Sequence, residues 1–144
     1  MPEGAVSVLV VDDQAPFRAA ARLVVRATKG FEVVGEARSG EEALEAVERL
    51  KPALVLMDIN MDGISGIEAT RRIRDGYPGT RVVLLSTYDE EDLPGDARTC
   101  GAIAYVHKER FGPDILQHTW GTATASTGGL VRPGRPGPPQ VVRP

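Results

Sequence analysis

A chain of 144 residues that is 42% hydrophobic can bury one core and is too apolar to be disordered throughout. The overall charge of −3 includes three arginines beyond residue 120 (Arg132, Arg135 and Arg143) with no acid among them, so the first 120 residues carry −3 less 3, or −6, which argues against direct nucleic-acid binding. Apolar runs stop at about five or six residues, residues 1–4 form neither a basic leader nor an apolar signal, and the single Cys100 excludes an internal disulfide or a zinc cluster, so a cytoplasmic protein without a membrane span is expected.

The predicted elements alternate between strand and helix. Val6 to Val11 is an apolar run of the kind a parallel strand buried on both faces requires, and it ends on the adjacent carboxylates Asp12 and Asp13. A helix is predicted from about Ala15 to Thr28, with Pro16 in its first turn, Phe17, Ala20, Val24 and Ala27 on one face, and Gly30 after its end. Strand two is Phe31 to Ala37. Ser39-Gly40-Glu41-Glu42 reads as a capping box opening a helix with Ala43, Leu44, Val47 and Leu50 inward, stopped by Pro52.

Strand three, Ala53 to Met57, again runs into a carboxylate, Asp58. The loop INMDGI leads to a second capping box, Ser65 to Glu68, and a helix to Asp75 with Gly76 at its end. Tyr77-Pro78-Gly79 turns the chain into strand four, Arg81 to Leu85, which ends at Ser86-Thr87. A weak helix is predicted near Leu93 to Thr99; because Pro94-Gly95 fits only a first turn, it should start near Asp92 and be short or loose. Strand five, Ala104 to His107, ends at Lys108, and a short helix from Pro113 to Trp120 follows, with Phe111 packing on Leu116. Residues 121–144, rich in proline and glycine, read as a disordered basic tail after a single domain spanning 5–120.

Five βα units imply a doubly wound α/β fold with a parallel sheet, because each parallel connection needs a right-handed helical crossover. In such a sheet the carboxyl ends of the strands share one rim, where ligands bind. Asp12, Asp13, Asp58, Ser86 and Lys108 all fall on that rim. Three carboxylates against one ammonium call for a hard, oxygen-seeking divalent cation such as Mg²⁺, with Mn²⁺ as a substitute. His107 and His118 suggest no catalytic base and suit structural roles.

The VVDD stretch at 10 to 13, MDINMDGISG with Asp58, LLST with Ser86 and GAIAYVHK with Lys108 together resemble the receiver domain of two-component response regulators, over about residues 5 to 120. The loop after Asp58 is most similar to NarL/FixJ-like receivers. The resemblance implies a flavodoxin-like (βα)5 sheet with strand order 2-1-3-4-5. It implies that Asp58 accepts a phosphoryl group from a sensor histidine kinase or a phosphotransfer protein. Asp12, Asp13, Asp58 and the backbone carbonyl of Asn60 would hold Mg²⁺; Ser86, Thr87 and Lys108 would contact the phosphoryl oxygens. Ser86 and Tyr105 would form the switch, acting on the surface of the fourth helix, fifth strand and fifth helix, and Asn60 and Tyr88 would tune dephosphorylation. Such a domain catalyses only its own phosphorylation and dephosphorylation.

Several features depart from the family pattern. Met61 is followed by Asp62 rather than proline, and Lys108 by Glu109 where many receivers have proline, so a cis bond there is not expected. No helix-turn-helix follows Trp120, so a stand-alone receiver is favoured over a fragment or a divergent product that has lost its output domain, signalling to a protein partner, with no DNA or membrane binding expected and at most a weak homodimer. A phosphorylation-independent interaction module on the same fold is the alternative. A phosphatase with an aspartyl nucleophile is disfavoured, because the residue two after Asp58 is Asn60 and not an acid.

Overall fold

The computed structural model describes residues 4–128 and 140–142. In chain order the elements are β1 (Val6–Val11), α1 (Ala15–Ala27), β2 (Phe31–Ala37), α2 (Gly40–Leu50), β3 (Leu54–Asp58), α3 (Gly66–Gly76), β4 (Arg81–Ser86), β5 (Ala104–His107), α4 (Pro113–Gly128) and β6 (Gln140–Val142). Three short 3₁₀ turns, Glu90–Asp92, Gly95–Arg98 and Lys108–Arg110, lie on either side of β5. The sheet runs β2-β1-β3-β4-β5-β6, and every pairing is parallel. The expected order 2-1-3-4-5 is therefore present, extended by one short strand at the β5 edge.

Alternate residues along each central strand enter opposite layers, as the two-residue period of a strand requires. Leu9, Val11, Val55, Met57, Val82 and Leu84 pack with α2, α3, Ala97 and Cys100. Val8, Val10, Leu54, Leu56, Val83 and Leu85 pack with Ala21 and Val25 of α1 and Leu116 of α4. Every residue of β3 is buried, which places its last one, Asp58, under cover on the rim.

Four expectations need correction. The expected face of α1 is right only in part: Phe17 is half-buried against the core, but Ala21, Val25 and the following Thr28 are the buried positions, Ala20 and Ala27 are exposed, and Leu23 stands 67% exposed. Arg18, Arg22 and Arg26 form a polar stripe four residues apart, and the buried stripe runs close beside it because Arg18 and Arg22 fold back onto Glu36 of β2. The fourth helix is not helical in the α sense but is two 3₁₀ turns, since Pro94 supplies no N–H and holds an extended ψ of 141° as the cap of the second. The last helix does not end at Trp120 but continues to Gly128; no proline falls within 121–128, and the Thr124 hydroxyl donates to the Trp120 carbonyl. The tail is likewise not without structure, because α4 takes up residues 121–128 and Gln140–Val142 pairs with β5, while 129–139 and 143–144 lie outside the described residues.

Candidate functional site

The ends of β1, β3, β4 and β5 meet on one rim. Asp12 and Asp13 leave β1 with different surroundings, Asp12 at 0% exposure and Asp13 in solvent. Asp12 is held by three groups: its Oδ1 accepts from the Gln14 N–H at 2.8 Å, its Oδ2 from Lys108 Nζ at 2.7 Å, and its backbone carbonyl from Arg18 Nη1 at 2.7 Å. Asp58, 5% exposed, lies with Oδ1 at 3.3 Å from the same Lys108 Nζ. Carboxylate oxygens of Asp12, Asp13 and Asp58 come within 4.8 Å of one another, and Asp13 opens onto a shallow cleft of about 310 Å³ lined also by Ile59, Asn60, Met61, Asp62 and Ser65.

One ammonium does not balance this charge. Burial, and then the neighbouring charge of Asp12, raise the Asp58 carboxyl from its ordinary 3.8 to about 6 against the opposing pull of Lys108. Burial alone would lower Lys108, but its bonds and charge contacts with Asp12 and Asp58 outweigh that and raise it. The Lys108 ammonium also sits 4.5 Å from the centre of the Phe17 ring, a cation–π contact that makes Phe17 a wall of the site.

Tight backbone approach sets the position of Asp58. α3 starts directly against it: a Cβ on Gly66 would lie 2.0 Å from the Asp58 carbonyl oxygen, so only glycine allows this helix to begin there. Ser65 caps α3 by accepting from the Glu68 N–H at 3.1 Å, while the Glu68 carboxylate turns away to Arg71 and Arg72. Ser39 caps α2 in the same way, but Glu42 returns to the N–H of Arg38 and not to that of Ser39. Both predicted boxes are therefore half formed.

On the other side, Ser86 is buried and its Oγ accepts from the Tyr88 N–H at 2.8 Å. Thr87 is exposed beside it. The Tyr88 hydroxyl reaches Asn60 Oδ1 at 3.4 Å, which brings two predicted residues together over the cleft. Tyr105 lies apart from the carboxylates: it is buried at the back of β5, and its hydroxyl, raised by burial, donates to the Ala97 carbonyl. Cys100 is buried next to it, on a bend and not on a helix.

Gln14, Phe17, Arg18, Gly66 and His107 belong to this neighbourhood and were not expected there. Phe17 and Arg18 stand five and six residues after Asp12, one helical turn beyond a strand end, and that spacing was the available signal. His107 gave none, because its partner across the sheet, Thr87, follows β4 twenty residues earlier in the chain.

A doubly wound parallel sheet that gathers three carboxylates and a lysine at its carboxyl rim defines the class of flavodoxin-like α/β signalling folds. The model of the response regulator receiver domain matches residues 8–119, and the chain belongs to that family. It is 36% identical over 115 residues to the transcriptional regulatory protein DegU of Brevibacillus brevis, covering 80% of this chain and 49% of that protein. With the response regulator GacA of Pseudomonas viridiflava it shares 40% identity over 103 residues, 72% of this chain and 48% of GacA. The chain thus spans about half the length of the curated relatives it matches. Among solved structures, the NarL signal receiver domain of Mycobacterium tuberculosis superposes with a TM-score of 0.77 at 31% identity, covering 85% of this chain and 98% of that one. The response regulator domain of Thermotoga maritima CheB does so with 0.73 at 30%, covering 81% and 95%.

Proposed function

We propose that Asp58 accepts a phosphoryl group from a phosphohistidine on a sensor kinase or phosphotransfer protein, and that the change is read by a protein partner. The observation that carries this reading is the placement of the Lys108 ammonium between the buried carboxylates of Asp12 and Asp58 at the end of β3. In the reaction an Asp58 carboxylate oxygen forms a bond to phosphorus as the phosphorus–nitrogen bond to the donor histidine breaks, leaving an acyl phosphate and a neutral imidazole once a proton is taken up. Lys108 would offer its charge to one phosphoryl oxygen, and Ser86 and Thr87 hydrogen bonds to others.

The donor set fits a hard divalent cation. Asp12, Asp13, Asp58 and the Asn60 carbonyl would hold Mg²⁺, or Mn²⁺, on the open side of the cleft, where burial first and then the charge of Asp12 raise the Asp58 carboxyl against the pull of Lys108. Such a cation supplies neutralisation of the charge that gathers as two anions meet. Asn60 and Tyr88, in contact across the entrance, would regulate access of water to the acyl phosphate. Ser86, whose Oγ accepts from the Tyr88 N–H, would turn to donate its hydroxyl proton to a phosphoryl oxygen, and the strain would pass to Tyr105, β5, the 3₁₀ segment before it and α4.

The test is incubation of the intact chain with Mg²⁺ and a small acyl-phosphate donor. One phosphoryl mass gain that disappears in Asp58→Asn is expected. No gain at saturating donor would sink the proposal and favour an interaction module that does not cycle, a reading to which Asp62, a further carboxylate on the same cleft, lends support.

A further inference from the structure

His107 closes β5, stands in register with Ser86 of β4, and directly precedes Lys108. Its ring makes two hydrogen bonds in opposite directions. Nδ1 lies 3.1 Å from the backbone N–H of Glu109, which makes His107 the cap of the 3₁₀ turn Lys108–Arg110. Nε2 lies 3.1 Å from the carbonyl oxygen of Thr87. An amide N–H only donates and a carbonyl only accepts, so Nδ1 is bare and Nε2 carries the proton. One neutral tautomer satisfies both partners.

The imidazole therefore ties the residue after Ser86 to the turn that begins with Lys108. We propose that His107 is a positioning residue, clasping the ends of β4 and β5 so that Ser86 and Lys108 keep a fixed separation across the phosphoryl site. This rests on the reading of Asp58 as the acceptor. A clasp is needed because the turn carrying Lys108 is a single three-residue 3₁₀ segment, a form with poor hydrogen-bond geometry, while two carboxylates pull its side chain from one side. It also needs an N–H at position 109. Glu109 supplies one, and a proline there would not.

The test uses the full chain with His107→Leu and His107→Asn, each alone and combined with Lys108→Ala. Nitrogen NMR of the wild-type ring should show Nε2 protonated and Nδ1 bare, and the Glu109 amide should exchange about tenfold faster in His107→Leu than in the wild type. With Mg²⁺ and a small acyl phosphate, His107→Leu should slow phosphorylation about tenfold, yet by less than about twofold in the Lys108→Ala background, because the clasp acts through Lys108. His107→Asn keeps an acceptor for the Glu109 N–H and should recover part of the rate. A ring protonated on Nδ1, or Glu109 exchange that ignores the substitution, overturns the clasp. A loss of rate that is absent, or undiminished without Lys108, overturns the positioning role. If the wild type takes no phosphoryl group, the acceptor reading fails and the positioning role with it, and the ring NMR still decides the clasp.

Discussion

At Asp58, burial and the charge of Asp12 together outweigh Lys108, and the carboxyl is raised to about 6. The folded chain then holds a proton here more tightly than the unfolded chain, where an ordinary carboxyl titrates at 3.8. The stability linked to this group is fully present below that lower value and is lost as pH rises through 6. In metal-free protein at pH 7, Asp58→Asn should consequently be more stable than the wild type by about 1–3 kcal/mol, with the two converging below about pH 4. Urea melts across that range measure it; a less stable Asp58→Asn at pH 7 would contradict it, and millimolar Mg²⁺ should narrow the gap. Lys108→Ala has the opposite sign. It strands two buried carboxylates and should cost about 3 kcal/mol at pH 7, with a smaller loss at pH 5 where Asp58 takes up a proton.

Among the elements, α3 is the least tolerant of change at its start and α2 the most open to improvement at its end. Gly66→Ala would drive a methyl into the Asp58 carbonyl, backbone against backbone, so a loss of about 3 kcal/mol or more is expected in thermal melts, together with a displaced Asp58. α2 ends on Lys51 in the left-handed region at φ 46°, where a side chain is strained. Lys51→Gly should stabilise by about 0.5–1 kcal/mol, less whatever the contact of the Lys51 ammonium with the Tyr77 ring contributes. Unchanged stability would mean that contact matches the strain. The segment before β5 is held from outside: Arg71 pairs with Asp96 at 3.1 Å and Arg74 donates to the Thr99 carbonyl, so α3 serves as its brace where no α-helix forms.

For the molecule as a whole, stability is concentrated in the centre of the sheet. β3 is buried throughout and flanked on both sides, whereas residues 88–100 form only 3₁₀ turns, so hydrogen exchange should be slowest in β1, β3 and β4 and faster by several orders of magnitude in 88–100. Equal protection in the two regions would refute this. The same contrast explains what could be read in advance. Strands buried on both faces announce themselves as short apolar runs, and four of them end in residues of the rim, so Asp12, Asp13, Asp58, Ser86 and Lys108 were legible. Phe17 and Arg18 offered only their spacing after Asp12, and His107 offered nothing, because it meets Thr87 only through the strand neighbour that topology assigns it. The α1 face was misjudged because Arg18 and Arg22 fold back onto Glu36, which brings the polar stripe close beside the buried one, and Gly121 was taken for an end although the helix passes through it.

With Gln140–Val142 seated along β5, the edges of the sheet among the described residues are this three-residue strand and the longer β2. The β2 edge carries Glu32 and Glu36, the latter already engaged by Arg18 and Arg22. A visiting peptide thus finds one border only three residues long and, along β2, one that carries acids, a barrier to backbone annexation and to fibril growth alike. On the proposed reading, recognition falls to side chains on the helical faces and the rim, where a change of charge on Asp58 would be felt.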